Sequence, residues 1–118
     1  MTQQFVAALD ELHQQREVGA LVALFGDDAT LEKAGMPRME QGKDGARAFW
    51  EQYRDVFGDI DASFRHRVGG DKIVFLEWTS KGTLRDGTAF SYDGVGVLES
   101  HSDTTDAFRT YYDTAAFL

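Results

Sequence analysis

The chain contains no cysteine, which excludes disulfide bonds, thiolate nucleophiles and zinc–thiolate sites. Its single proline argues against a disordered or linker-rich protein. No run of about 18 apolar residues occurs, and the first residues lack the basic start and apolar core of a signal peptide. We therefore expect 118 residues to form one cytoplasmic domain that does not enter a membrane.

Basic residues are few. The 12 Lys and Arg stand against 20 Asp and Glu, and the formal net charge is −8. Lys and Arg are scattered along the chain, whereas binding to a phosphate backbone requires them to cluster. Metal-ligand spacings and a glycine-rich phosphate loop are also missing from the sequence. The sequence thus predicts no nucleic-acid partner, no metal and no cofactor.

The second half of the chain has the pattern of an antiparallel meander. Four segments rich in β-branched and aromatic residues alternate with three short turns that contain Gly, Asp or Ser. The predicted strands cover residues 60–68, 72–84, 88–100 and 104–113. Turns this short require each strand to pair antiparallel with the next, because a parallel pair needs a long crossover.

The first half predicts three helices. Phe5, Leu9 and Leu12 recur at helical spacing within residues 2–17, and a short apolar helix follows over residues 18–25. A third helix is predicted for residues 44–57, with Asp44 as its N-cap. A short extended piece lies between the second and third helices, and residues 33–41 have the pattern of a loop. This order of helices and strands along the chain predicts an α+β fold in which three N-terminal helices cover one face of a curved antiparallel sheet.

Four stretches carry a resemblance to a known family. They are Phe-Gly-Asp-Asp-Ala-Thr-Leu-Glu at 25–32, Gly-Lys-Asp-Gly at 42–45, and the runs at 75–83 and 108–113. With them, nearly the whole chain resembles the nuclear transport factor two-like superfamily, in its SnoaL-like (ketosteroid isomerase-like) branch. The resemblance implies a cone whose helices pack on the concave face of a strongly curved antiparallel sheet and enclose an apolar cavity. It implies no single activity, because this fold hosts isomerases, polyketide cyclases, hydrolases and plain binding proteins.

The catalytic positions implied by that resemblance hold other residue types here. The tyrosine donor, general base and acid of ketosteroid isomerases would fall at Leu9, Lys33 and near Gly96. The matching positions of limonene epoxide hydrolases are Thr110, Trp78 and Ser80. The inward aspartate of SnoaL-type cyclases would fall near Thr110 or Phe108. The carboxylates of all three chemistries are therefore missing.

Strand alternation predicts which side chains face the helices. If Trp78 and Thr110 point inward, the inward face of the sheet is mostly aromatic with a few hydroxyl groups. Such a face suits an apolar small-molecule ligand held by one or two hydrogen bonds. The predicted ligand-binding residues are Trp50, Tyr53, Phe64, Trp78, Ser80, Phe108, Thr110 and Tyr112.

His66 is the one ionisable side chain that alternation turns inward on the sheet, so His66 and Tyr92 are the predicted catalytic residues. The alternative is a structural histidine, buried with a partner or exposed at the rim. His13 is expected at the surface, and Lys33 is expected to be solvated near the mouth of the cavity. Alternation places Asp93 and Asp113 on the outer face, where they cannot form an acid/base pair.

Three functions remain open. The first is acid/base chemistry of isomerase, cyclase or hydrolase type on a polycyclic or terpene-like compound. The second is ligand binding without catalysis. The third is an interaction module that forms a homodimer through the outer sheet face, where alternation places Phe75, Val95, Val97 and Tyr111.

Overall fold

The structure is a computed structural model that describes residues 2–33, 38–101 and 103–113. The helices are α1 (Thr2–Gln15), α2 (Gly19–Leu24) and α3 (Gly42–Val56). The strands are β1 (Phe25–Lys33), β2 (Met39–Gln41), β3 (Phe57–Gly69), β4 (Ile73–Leu84), β5 (Ala89–His101) and β6 (Thr104–Tyr112). The predicted α+β class with three N-terminal helices is confirmed.

One curved, unclosed sheet contains all six of these strands in the order β2-β1-β6-β5-β4-β3. The meander β3–β6 is antiparallel throughout, as its short turns predict. The extended piece after α2 is a full strand, β1, which pairs parallel with β6. This parallel pairing is possible because α3 and most of the meander separate the two strands along the chain. Part of the predicted loop, Met39–Gln41, adds an antiparallel edge strand to β1; residues 34–37 of that loop lie outside the described residues.

Helix α3 begins two residues before the predicted cap. Gln41 occupies the N-cap position without a side-chain hydrogen bond, and Asp44 lies in the first turn of the helix. The carboxylate still favours the helix there, because backbone N–H groups concentrate positive charge at that end. None of the helices in the described part of the chain has the length and hydropathy needed to cross a membrane.

The main core lies between the helices and the inner face of the sheet. It includes the predicted apolar stripe of α1 and the apolar face of α3, with Phe5, Leu12 and Trp50 almost fully buried. A second, smaller cluster forms around Phe57, Phe90 and Tyr92. The aromatic stripe of α3 therefore spans both clusters, with Tyr53 packed against each of them.

A β-bulge in β3 reverses the side-chain direction in the second half of that strand. Phe64 pairs with Trp78, but His66 pairs with Glu77, so Arg65 is an additional residue in β3. Beyond the bulge His66 shares the outer face with Glu77, and Val68 pairs with Phe75. The prediction that His66 faces inward is wrong for this reason, since one extra residue exchanges the two faces of a strand.

Candidate functional site: an aromatic cavity between helices and sheet

Helices α1 and α3 and the inner face of the sheet enclose a cavity of about 300 Å³. This volume lies at the lower end of the range of small-molecule pockets in proteins. Seven of the predicted ligand-binding residues line it: Trp50, Tyr53, Trp78, Ser80, Phe108, Thr110 and Tyr112. Tyr92, one of the two predicted catalytic residues, lines it as well.

The helices contribute wall residues that the sequence analysis did not assign to the site. Phe5 and Leu9 come from α1, and Phe49 and Val56 come from α3. The amphipathic stripes of both helices carry these residues, but periodicity alone does not distinguish a core position from a cavity wall. The distinction depends on how far each helix stands from the sheet, which the sequence does not encode locally.

Trp50 is the centre of the aromatic wall. Its ring centroid lies 5.0 Å from that of Phe49, 5.3 Å from that of Phe108 and 5.5 Å from that of Tyr53. These separations are those of favourable tilted and edge-to-face aromatic pairs. The Trp50 Nε1 group is buried and has no hydrogen-bond partner among the described residues. The wall is therefore mainly apolar, and it offers few polar groups to a ligand.

Two glycines make room for the other indole. A Cβ atom added at Gly94 would lie 2.8 Å from Trp78 Cζ2, and one added at Gly96 would lie 2.8 Å from Trp78 Cζ3. The Trp78 ring therefore lies flat across β5, at a distance that only glycine allows. The glycine at position 96, where the isomerase resemblance would place an acid, thus has a packing role in this chain.

Ser80 and Tyr92 provide a hydroxyl pair on neighbouring strands. They are direct partners in the β4–β5 register, and their side chains are hydrogen-bonded. Burial raises the pKa of Tyr92 to about 12, partly offset by the Ser80 hydrogen bond. Tyr92 is therefore a neutral phenol at pH 7, which suits it to donate a hydrogen bond to a ligand oxygen.

A second pair joins α1 to α3. His13 Nε2 lies 2.7 Å from the Tyr53 hydroxyl oxygen, and the two rings are stacked with centroids 5.8 Å apart. Burial lowers the pKa of His13 to about 4, against a smaller opposite effect of Asp61 and Asp10. Burial also raises the pKa of Tyr53. At pH 7 both groups are neutral, so the imidazole can accept a hydrogen bond from the Tyr53 hydroxyl when Nε2 is its unprotonated nitrogen.

The surface position predicted for His13 is wrong. His13 lies one helical turn after Leu9, and the seating of α1 against α3 turns it toward Tyr53. The spacing from Leu9 was the available sequence signal, but it could not show which helix would face that side of α1.

Lys33 also departs from its prediction. It lies at the end of β1, paired with Thr110 of β6, and its side chain lines the cavity. Its Nζ atom lies 5.7 Å from the centre of the Phe49 ring. Burial lowers its pKa, and within the described ranges its ammonium has neither an ion pair nor a hydrogen bond. Lys33 is thus the one basic side chain among the described cavity residues.

Two predicted site residues lie elsewhere. Phe64 lines a neighbouring cavity of about 280 Å³ between α1 and β3, together with His13 and Arg67. His66 lies on the outer face, where its Nδ1 atom is 2.6 Å from Glu77 Oε1 and its side chain is 72% exposed. His66 and Tyr92 are therefore on opposite faces of the sheet and cannot act on one ligand together.

Carboxylates stay outside the cavity. Its lining in the described part of the chain contains no Asp or Glu, and the same part holds no group of three metal-ligating side chains. Asp93 lies on the outer face as predicted, where its Oδ1 accepts hydrogen bonds from Arg65 Nη2 at 2.6 Å and Thr79 Oγ1 at 2.7 Å. These bonds lower the pKa of Asp93. The chemistry available to a ligand in this cavity therefore comes from hydroxyls and an amine, and the His13 imidazole reaches it only through the Tyr53 hydroxyl.

The family model of the SnoaL-like domain matches residues 2–104. The chain belongs to the SnoaL-like family. The family resemblance carried by the sequence motifs is thereby confirmed. No curated protein matches this SnoaL-like chain.

Solved structures show the same fold at low identity. A nuclear transport factor two-like protein of unknown function from Exiguobacterium sp. 255-15 has a TM-score of 0.78 at 20% identity, covering 93% of this chain and 98% of its own. TerC, co-crystallised with polyporic acid, has a TM-score of 0.82 at 17% identity, covering 98% and 93%. An M. tuberculosis LEH-like epoxide hydrolase has a TM-score of 0.73 at 17% identity, covering 94% and 81%. At these identities the likeness concerns the fold alone, because one fold carries many activities.

Proposed function

We propose that this SnoaL-like protein binds a mostly apolar, ring-containing small molecule in the cavity between α1, α3 and the sheet. The observation that carries the proposal is the composition of the cavity wall, in which aromatic rings surround a few hydroxyl groups and one amine. Apolar pockets with a small number of placed polar groups are typical of small-molecule sites. The co-crystallisation of TerC with polyporic acid supports an organic ligand for this fold.

The polar groups favour a ligand that carries oxygen atoms. Tyr92 is a neutral donor in the wall, and Lys33 adds a positive charge when it is protonated. Both can stabilise a carbonyl, a phenol or a carboxylate, since hydrogen bonds to charged groups contribute about 1.5–3 kcal/mol. We therefore expect polycyclic or terpene-like compounds with one or two oxygen functions to bind more tightly than the parent hydrocarbons.

A substitution that fills the cavity tests the binding proposal. Ala62 lines the cavity from β3, whereas the adjacent Ser63 is exposed. Compounds that raise the melting temperature of the wild type should not stabilise Ala62→Phe, because the added ring occupies the ligand volume. Ser63→Phe should keep the wild-type response. Equal responses of both variants to the compounds would place binding outside the cavity and contradict the proposal.

Acid/base catalysis is the second candidate function, and the bond between His13 and Tyr53 favours it. A neutral imidazole at 2.7 Å from a phenol can take the phenol proton while the phenol oxygen takes a proton from a bound ligand. Compounds that bind should be incubated with the protein and analysed for isomerised, cyclised or hydrolysed products by mass spectrometry. Turnover that Tyr53→Phe abolishes would support catalysis, whereas binding without product would support a binding protein only.

We also propose that the protein forms a homodimer through the outer face of the sheet. Phe75, Val68 and Tyr111 are 46%, 64% and 47% exposed on this face. Exposed apolar patches of this kind mark interaction surfaces. Light scattering should show a dimer that Phe75→Asp dissociates, whereas Met39→Asp, a change of an equally exposed side chain on β2, should leave it intact. A monomeric wild type at micromolar concentration would refute this assembly.

A further inference from the structure

Lys33 differs from the other lysines of this protein in its surroundings. The chain has four lysines, and Lys43, Lys72 and Lys81 are exposed. Lys33 alone lines the aromatic cavity, where its strand register places it beside Thr110 and its Nζ atom lies near the face of Phe49. No carboxylate in the described residues forms an ion pair with it. The amine is therefore directed at the space that a ligand would occupy.

The apolar surroundings change the chemistry of this amine. An ammonium group loses hydration when it enters an aromatic cavity, and a π face replaces only part of that hydration. Burial accordingly lowers the pKa of Lys33. A desolvated lysine is a nucleophile, since the neutral amine has a free electron pair, and it reacts with carbonyl carbons to form Schiff bases.

We propose that Lys33 forms an imine with an aldehyde or ketone bound in the cavity. The nitrogen attacks the carbonyl carbon, a C–N bond forms, and a proton moves from nitrogen to the carbonyl oxygen. The C–O bond then breaks, and both amine hydrogens leave with that oxygen as one water molecule. Hydrolysis reverses the same steps, so no oxidant or reductant is needed. The inference rests on the proposed function, because the carbonyl compound must first enter the cavity.

Reductive trapping tests the reactivity of the amine independently of any specific ligand. The protein is treated at pH 7 with propanal and cyanoborohydride to low conversion, and the labelled lysines are quantified by peptide mapping. We expect Lys33 to be labelled several times faster than Lys72 and Lys81, since the fraction of free amine rises about tenfold for each unit by which a pKa falls. This preference should disappear in urea, where all four lysines are solvated. Labelling of Lys33 at or below the rate of the exposed lysines would refute the proposal.

A ring-containing pair of probes separates imine formation from binding. 2-Naphthaldehyde with cyanoborohydride should give its main adduct at Lys33, and an excess of 2-naphthalenemethanol should suppress labelling of Lys33 but not the slower labelling of Lys81. Lys33→Arg keeps the charge and should lose the adduct, whereas Lys81→Arg should keep it. If the alcohol raises the melting temperature and the aldehyde still gives no Lys33 adduct, binding stands and the imine is refuted. If neither naphthyl compound binds, the proposed function fails for this class, and the propanal labelling alone decides the reactivity of Lys33.

Discussion

The partly buried imidazole of His13 should make this protein sensitive to mild acid. The folded state holds His13 neutral with a pKa of about 4, whereas an unfolded chain protonates histidine near 6.5. As the pH falls from 6.5 toward 4, the unfolded state takes up a proton that the folded state does not. The contribution of His13 is therefore complete above pH 6.5 and is lost progressively on acidification.

The size of this loss follows from the difference between the two pKa values. Since one pKa unit corresponds to about 1.4 kcal/mol, the full difference is worth about 3 kcal/mol. His13 is only half-buried, and water reaches part of its ring, so we expect a loss of about 2 kcal/mol in the free energy of unfolding. That is a sizeable share of the roughly 5–15 kcal/mol that stabilises an ordinary domain.

His13→Gln isolates this effect, because glutamine can still hydrogen-bond the Tyr53 hydroxyl but does not titrate. Urea unfolding of both proteins, followed by tryptophan fluorescence, should be compared between about pH 7 and pH 4.5. Carboxyl groups titrate equally in the two proteins, so the difference between their free energies of unfolding reports His13. On acidification the free energy of unfolding of the wild type should fall by about 2 kcal/mol relative to that of His13→Gln. His101→Gln, at an exposed histidine, should follow the wild type at every pH. Parallel curves for the wild type and His13→Gln would show that folding does not keep the His13 imidazole neutral and would refute this reasoning.

Two further predictions concern packing around the cavity. Gly96→Ala should lower the free energy of unfolding by about 1–3 kcal/mol, because its Cβ would lie 2.8 Å from Trp78 and 3.0 Å from Phe108. Gly70→Ala, with no atom within 4 Å of the added Cβ, is the matched control, and equal urea midpoints would contradict the crowding. Trp50→Phe should lower the free energy of unfolding by clearly less than the roughly 3–5 kcal/mol typical of Trp→Ala. The substitution keeps a ring and removes a buried N–H that has no partner among the described residues. Similar losses for Trp50→Phe and Trp50→Ala in urea titrations would contradict this.

Local patterns in the sequence were sufficient for the meander and for most of the inward face. Short turns require antiparallel pairing, and alternation from Trp78 and Thr110 places Ser80, Tyr92 and Phe108 correctly in the cavity. Both features depend only on neighbours in the chain or on direct strand partners, so the order of residues is enough to predict them. The apolar stripe of α3 is equally local, and it places Trp50 and Tyr53 in the same wall.

The wrong predictions concern places where distant parts of the chain meet, or where one extra residue alters the alternation of side chains along a strand. The extra residue Arg65 in β3 moves His66 to the outer face, and no turn residue in the sequence marks that bulge. The position of His13 against Tyr53 depends on how α1 and α3 pack, across 40 residues of chain, and that of Lys33 depends on the pairing of β1 with the distant β6. The meander, the three helices and the aromatic character of the cavity follow from short-range periodicity, so they can be predicted from the sequence alone. Which ionisable groups enter that cavity depends on tertiary packing, because burial and pairing belong to residues that meet only after folding.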